Sequence, residues 1–76
     1  MIKLKQIKAN MTELTLDSGT RVLFSYETPV AGWDDDGAFR TMEHYSPTTT
    51  RHINQYLGGK HVGYKVSQQF IDNLIG

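Results

Sequence analysis

The sequence predicts an α+β domain: a small antiparallel β-sheet of three to five strands packed with two short C-terminal helices. Three observations carry this. Apolar residues alternate with polar ones through the first third of the chain. Asp17-Ser18-Gly19 separates two such runs as a hairpin turn. Two amphipathic segments, opening at Ser46 and at Ser67, close the chain.

Ile2 and Leu4 alternate with Lys3 and Lys5, the pattern of a strand with one buried face. The parity then slips. Ile7, Ala9 and Met11 are apolar before Leu14 and Leu16 return to even positions, so a bulge or turn is expected near Asn10. Asp17 and Ser18 suit the centre of a type I turn and Gly19 the left-handed position after it. That register sets Leu16 against Thr20, Leu14 against Val22 and Thr12 against Phe24, with Glu13 diagonal to Arg21. Val22, Phe24 and Tyr26 make the inward row; Arg21, Leu23 and Ser25 point the other way, which gives Leu23 to a second buried face or to a subunit contact. Pro29 ends this strand or marks an edge. Val30 to Gly37 reads as a loop or long hairpin tip, and Ala38 to Tyr45 as a strand pairing back near Tyr26.

Ser46 is an N-cap and Pro47 a first helical residue, with Thr49 and Thr50 as alternative caps; Ile53, Tyr56 and Leu57 form one apolar stripe, and Gly58 stops the helix. Gly58 to Tyr64 reads as a flexible connection with a short extended piece at Val62. Ser67 caps a second helix, Gln68 to Leu74, with Val66 and Ile71 placed as a hydrophobic staple. The expected core is Leu4, Ile7, Leu14, Leu16, Val22, Phe24, Tyr26, Phe39, Tyr45, Ile53, Leu57, Val62, Phe70 and Leu74.

Seventy-six residues make one domain, 1–76, with a core that supplies only a few kcal/mol. There is no cysteine to staple it, so self-association is the expected way to add buried area. Eight Lys and Arg balance eight Asp and Glu, which argues against a nucleic-acid coat and against an acidic nucleic-acid mimic. The charges are segregated: Lys3, Lys5 and Lys8 at the start, Glu27, Asp34, Asp35, Asp36 and Glu43 in the middle, Arg51, Lys60 and Lys65 in the last third. No apolar run approaches a membrane span, and no signal-peptide core opens the chain.

Two places can bind a partner. At the start of the first helix, hydroxyls of Ser46, Thr48, Thr49 and Thr50, the guanidinium of Arg51 and the imidazoles of His44 and His52 crowd free backbone N–H groups, a setting for phosphate, while Tyr45 or Tyr56 can stack a base. The bland reading is that the hydroxyls cap, Arg51 is solvated and His52 packs on Tyr56. At the other place, Trp33 beside Asp34, Asp35 and Asp36 can anchor a partner protein, or fold back over the sheet. Asp34, Asp36, Gly37 and Glu43 match some EF-hand positions, but Gly32 stands where the first ligand belongs. His44, His52 and His61 lack local zinc-ligand spacing, so no metal and no cofactor is expected. With no nucleophile elbow and no cysteine, the chain is read as non-enzymatic.

The run Val22-Leu23-Phe24-Ser25-Tyr26-Glu27-Thr28-Pro29-Val30-Ala31, with His44-Tyr45-Ser46 and Thr49-Thr50-Arg51-His52-Ile53-Asn54-Gln55-Tyr56-Leu57, resembles a group of small uncharacterised phage proteins. The likeness covers Ile2 to Leu74 and leaves the aspartate run as its variable part. It carries no residue roles. It implies a phage gene expressed in the bacterial host cytoplasm. The expected function is a homo-oligomeric binding module that antagonises a host defence component by sequestering a phosphate-containing nucleotide. The alternatives are a protein–protein inhibitor using Trp33 and the acidic loop, or a weak nucleic-acid binder.

Overall fold

A computed structural model describes residues 2–76. Its sheet has six strands in sequential order: β1 (Lys3–Lys8), β2 (Met11–Thr15), β3 (Arg21–Ser25), β4 (Thr28–Asp34), β5 (Gly37–Thr41) and β6 (Tyr64–Val66). Helix α1 (Pro47–Leu57) joins β5 to β6, and α2 (Gln68–Ile75) follows. The α+β expectation holds, but the sheet is larger than expected and not wholly antiparallel. β6 pairs parallel to β5, which requires a crossover that α1 supplies.

The helices lie on opposite faces. On one face Met11, Leu23, Val30, Ala31 and Ala38 pack with Ile53 and Leu57 of α1. On the other, Val22 and Phe39 pack with Ile71 of α2. Leu23 therefore belongs to a second buried face, as its parity suggested. Burying each large apolar side chain is worth roughly 1.5–3 kcal/mol over leaving it in water.

The Asp17–Gly19 hairpin forms in the expected register. Leu14 faces Val22 and Thr12 faces Phe24; Leu16 N–H donates to Thr20 O at 2.8 Å, and Gly19 takes φ +94°. The parity slip is also real: the β1–β2 register shifts between Gln6 and Lys8, and Asn10 turns the chain at φ +65°. Both helix caps are as expected. Ser46 Oγ accepts from Thr49 N–H at 3.1 Å, Ser67 Oγ accepts from Phe70 N–H at 3.1 Å, and Gly58 closes α1 at φ +94°.

The expected loop from Val30 to Gly37 is instead most of β4 and the tip of its hairpin with β5. A register shift between Leu23 and Phe24 leaves Val30 unpaired opposite β3, so Val30 and Ala31 both reach the α1 side and the alternation is hidden. Pro29 lies in this interior strand beside the bulge, where a residue without an N–H is tolerated. The strand expected at Ala38–Tyr45 stops at Thr41 and pairs with β4 rather than near Tyr26. Several expected core residues are outside it. β1 is an edge strand, so Leu4 is 72% exposed and Ile7 is also exposed. Tyr26 sits in the β3–β4 turn at 53% exposure, and Tyr45 and Phe70 are exposed as well. Met11, Val30, Ala31 and Ala38 take their place.

Gly32 is the position where a glycine is needed for space. It faces Val22 on one side and Phe39 on the other. A Cβ there would stand 2.1 Å from Arg21 O and 2.5 Å from Phe39 Cζ. The Phe39 ring thus lies over the bare backbone of β4, and Phe70 meets it edge-on at 5.8 Å. Gly32→Ala is expected to cost at least about 2 kcal/mol in urea unfolding, because a backbone oxygen cannot step aside. Gly59→Ala, whose Cβ would make an ordinary 3.4 Å contact with Val62, should stay within about 1 kcal/mol of the parent. Equal unfolding midpoints for the two variants would contradict this packing.

Candidate functional site

Most hydroxyls at the start of α1 are used by the fold. Ser46 caps Thr49; Thr50 Oγ1 donates to Ser46 O at 3.2 Å; Ser46 Oγ and Thr49 Oγ1 are 3.2 Å apart. The chain of bonds continues under the helix. Ser25 Oγ of β3 lies 3.1 Å from Thr49 Oγ1 and 2.7 Å from His52 Nδ1. Ser25 is 1% exposed and His52 8%. These buried polar groups therefore satisfy one another. His52 does not pack on Tyr56 as the bland reading had it; its ring meets Tyr26, centroids 5.8 Å apart. With Nδ1 held by Ser25, Nε2 is the ring nitrogen left to face outward. The pair resembles a nucleophile and its base, yet the serine is sealed beneath α1, where no substrate carbonyl can reach it.

The bulge in β1 builds the other wall. Without it, Lys8 would share a face with Leu4 and Gln6. The shift after Gln6 instead sets Lys8 against Met11, on the α1 side of the sheet. There Lys8 Nζ donates to Gln55 Oε1 on the outer flank of α1. Beside this contact runs an open groove of about 670 Å³, lined by Lys8, Thr48, Arg51, His52, Asn54, Gln55, Gly58 and Gly59. Its lining holds two cations and no carboxylate. Arg51 is exposed, and among the described residues its guanidinium has no hydrogen bond or ion pair.

A helix C-terminus normally presents partial negative charge, which would oppose an anion beside Gly58 and Gly59. Arg40 of β5 offsets it. Its Nη2 donates to Gly59 O at 2.8 Å, Nε to Val62 O at 2.9 Å and Nη1 to Asn54 Oδ1 at 3.0 Å. One side chain thus holds the loop after α1 and neutralises its carbonyls. Desolvation pulls the Arg40 pKa below its ordinary value.

Of the residues expected to bind an anion, Thr48, Arg51 and His52 line the groove, whereas Ser46, Thr49 and Thr50 are spent on caps and the buried chain. Tyr56 points elsewhere: its hydroxyl donates to Glu13 Oε2 at 2.5 Å, and burial, then Glu13, pushes its pKa up. Trp33 is a β4 residue packed against the α1-side core, so it has folded back over the sheet. The acidic tip is internally tied. Asp34 accepts from Asp36 N–H at 2.8 Å and from the Tyr64 hydroxyl at 3.1 Å. No cluster of three His, Asp or Glu among the described residues is placed to hold a metal ion. Lys8, Asn54, Gln55 and Ser25 were missed. Gln55 was readable, because it follows Thr48 and Arg51 on the outer flank of the helix at seven- and four-residue steps. Lys8 and Ser25 arrive from distant strands.

The fold and site define a small helix–sheet–helix domain with an open cationic groove along one helix, and no described helix is long and apolar enough to cross a membrane. Residues 2–73 match the model of a family of unknown function, DUF8033, and the chain belongs to that family. No curated protein and no solved structure matches it.

Burial, and then Lys8, lowers the pKa of His52. The unfolded chain therefore takes up a proton before the folded one as the pH falls through the ordinary imidazole value of about 6.5. Stability from this residue is present above that pH and is lost below it. Thermal melting should show the parent losing stability between about pH 7 and about pH 5, with a shallower loss in His52→Asn. Parallel pH profiles would contradict the buried neutral imidazole.

Proposed function

We propose that the protein is a non-enzymatic binding module whose α1 groove holds a phosphate-bearing small ligand. The observation that carries this reading is the Arg51 guanidinium, without a hydrogen bond or ion pair among the described residues and set with Lys8 and His52 on walls that carry no acid. A guanidinium offers two parallel donors to phosphate, and an ammonium adds a point charge. The resemblance to phage proteins supplies the setting: a phage gene product in the host bacterial cytoplasm that sequesters a phosphate-containing nucleotide and so blunts a host defence signal. Exposed Leu4 on edge strand β1 and exposed Ile2 just before it favour a homo-oligomer. The reading as a protein–protein inhibitor has less support, since Trp33 packs against the core and Asp34 is tied within its own hairpin.

Calorimetry with mono-, di- and cyclic nucleotides and with inorganic phosphate tests the proposal. Arg51→Ala should weaken binding at least about tenfold, the scale of one charge-assisted hydrogen bond. Lys8→Ala should weaken it and flatten its salt dependence. Absence of binding by the wild-type protein to every one of these compounds would remove the proposal.

A further inference from the structure

The β1–β2 and β3–β4 turns lie side by side at one end of the sheet, joined by Tyr26 N–H donating to Asn10 O at 2.8 Å. Each holds a non-glycine residue at positive φ, Asn10 at 65° and Tyr26 at 59°. Asparagine adopts this conformation readily, whereas a bulky aromatic seldom does. Tyr26 is the first of two residues between the paired Ser25 and Thr28, a place where positive φ favours glycine. Glycine would turn the chain there more easily, so the tyrosine ring stands at a strained position. That ring leans on His52, is half-exposed, and walls a cleft of about 650 Å³.

The rest of the cleft is Gln6, Asn10, Thr12, Glu27 and Thr28. Amides and hydroxyls surround one carboxylate, and no cation is present, so the cleft repels phosphate. An exposed aromatic wall with polar groups at its margin fits a flat heteroaromatic ring that carries N–H donors. Guanine presents two adjacent donors, N1–H and the N2 amino group, which the two oxygens of one carboxylate can accept together. Adenine presents an acceptor at N1 and would set its lone pair against that carboxylate.

We infer that this cleft binds a guanine base, stacked on Tyr26 and read by Glu27. The cleft and the groove are neighbours through one contact, Tyr26 of the cleft against His52 of the groove, although Gln6 and Thr12 of the cleft face away from α1 and Lys8 faces toward it. Lys8 of the groove and Asn10 of the cleft are two residues apart in one hairpin, so their Cα atoms are at most about 7 Å apart. A guanine nucleotide with its base on Tyr26 would pass around this end of the sheet to bring its phosphate toward Lys8. The phosphate half of this inference rests on the proposed function; the base half does not.

Calorimetry with guanosine, GMP, AMP, L-arginine and inorganic phosphate, on the parent, Tyr26→Gly and Glu27→Gln, tests it. GMP should bind at least about fivefold tighter than AMP. Tyr26→Gly should weaken GMP at least about fivefold and leave inorganic phosphate unchanged, with a melting temperature no lower than the parent's because glycine suits that φ. Glu27→Gln should lose most of the preference for GMP. Equal affinity for GMP and AMP, no binding of either, or an unchanged GMP affinity in Tyr26→Gly would overturn the guanine cleft. Binding of L-arginine in place of guanosine, through stacking and pairing with Glu27, would overturn it too. Guanosine binding without phosphate binding would instead remove the groove reading and leave the cleft standing.

Discussion

The arrangement of this protein depends on the buried line of polar groups from Ser46 through Thr49 and Ser25 to His52. Apolar contact is non-directional, so the stripe of Ile53 and Leu57 alone would hold α1 to the sheet without fixing its rotation. The hydroxyl and imidazole bonds are directional. Each nets only about 1 kcal/mol when made, but a buried partner left alone costs about 1–3 kcal/mol. Rotating α1 would orphan several at once. The helix is therefore held with His52 beneath it and Thr48, Arg51 and Gln55 on its outer flank. The groove is a consequence of that rotation.

The opposite face is organised by a different device. Gly32 leaves the backbone of β4 bare, Phe39 lies across it, and α2 covers both through Ile71 and Phe70. A helix on each face lets so short a chain bury both sides of β3, from Val22 on one to Leu23 on the other. The sheet's edges are kept from open-ended pairing: β1 carries Lys3, Lys5 and Lys8, and β6 is only three residues long. Charge is divided along the strands. The turn at Asp17 and the Asp34–Asp36 tip lie at one end of the sheet, and the turns bearing Lys8 and Tyr26 at the other.

Elements set by local chemistry were legible in the sequence. Both helices, their serine caps, Gly58, the Asp17–Gly19 hairpin and its register depend on a few adjacent residues. The slip in parity before Met11 announced the β1 bulge. What failed depended on distant pairing. Val30 and Ala31 read as a loop because the bulge opposite Leu23 breaks the alternation. Gly32 looked like a turn residue because Phe39, which explains it, arrives from the next strand. Leu4 looked like core because alternation does not distinguish an edge strand from an interior one. The site was legible by half. Arg51, Thr48 and His52 lie on one helical segment, and residue type drew attention to them. Lys8 enters only through pairing of β1, and Ser25 read as an ordinary outward serine until α1 was laid over it. Tyr26 looked apolar and inward, but the strand ends at Ser25 and the β3–β4 turn carries the ring out of the core.

The groove and the sheet-end cleft meet at the Tyr26–His52 contact, so the buried line of bonds that orients His52 also sets the spacing between them. The most direct test of this account is a ¹H–¹⁵N correlation spectrum of the labelled protein titrated with inorganic phosphate, read at backbone amides and at Arg51 Nε. The account predicts shifts confined to Arg51 Nε and to the amides of Lys8, Thr48, Arg51, Gln55, Gly58 and Gly59, with the Asp34–Asp36 tip unmoved. Shifts spread evenly over all lysines, or none at Arg51 Nε, would contradict it.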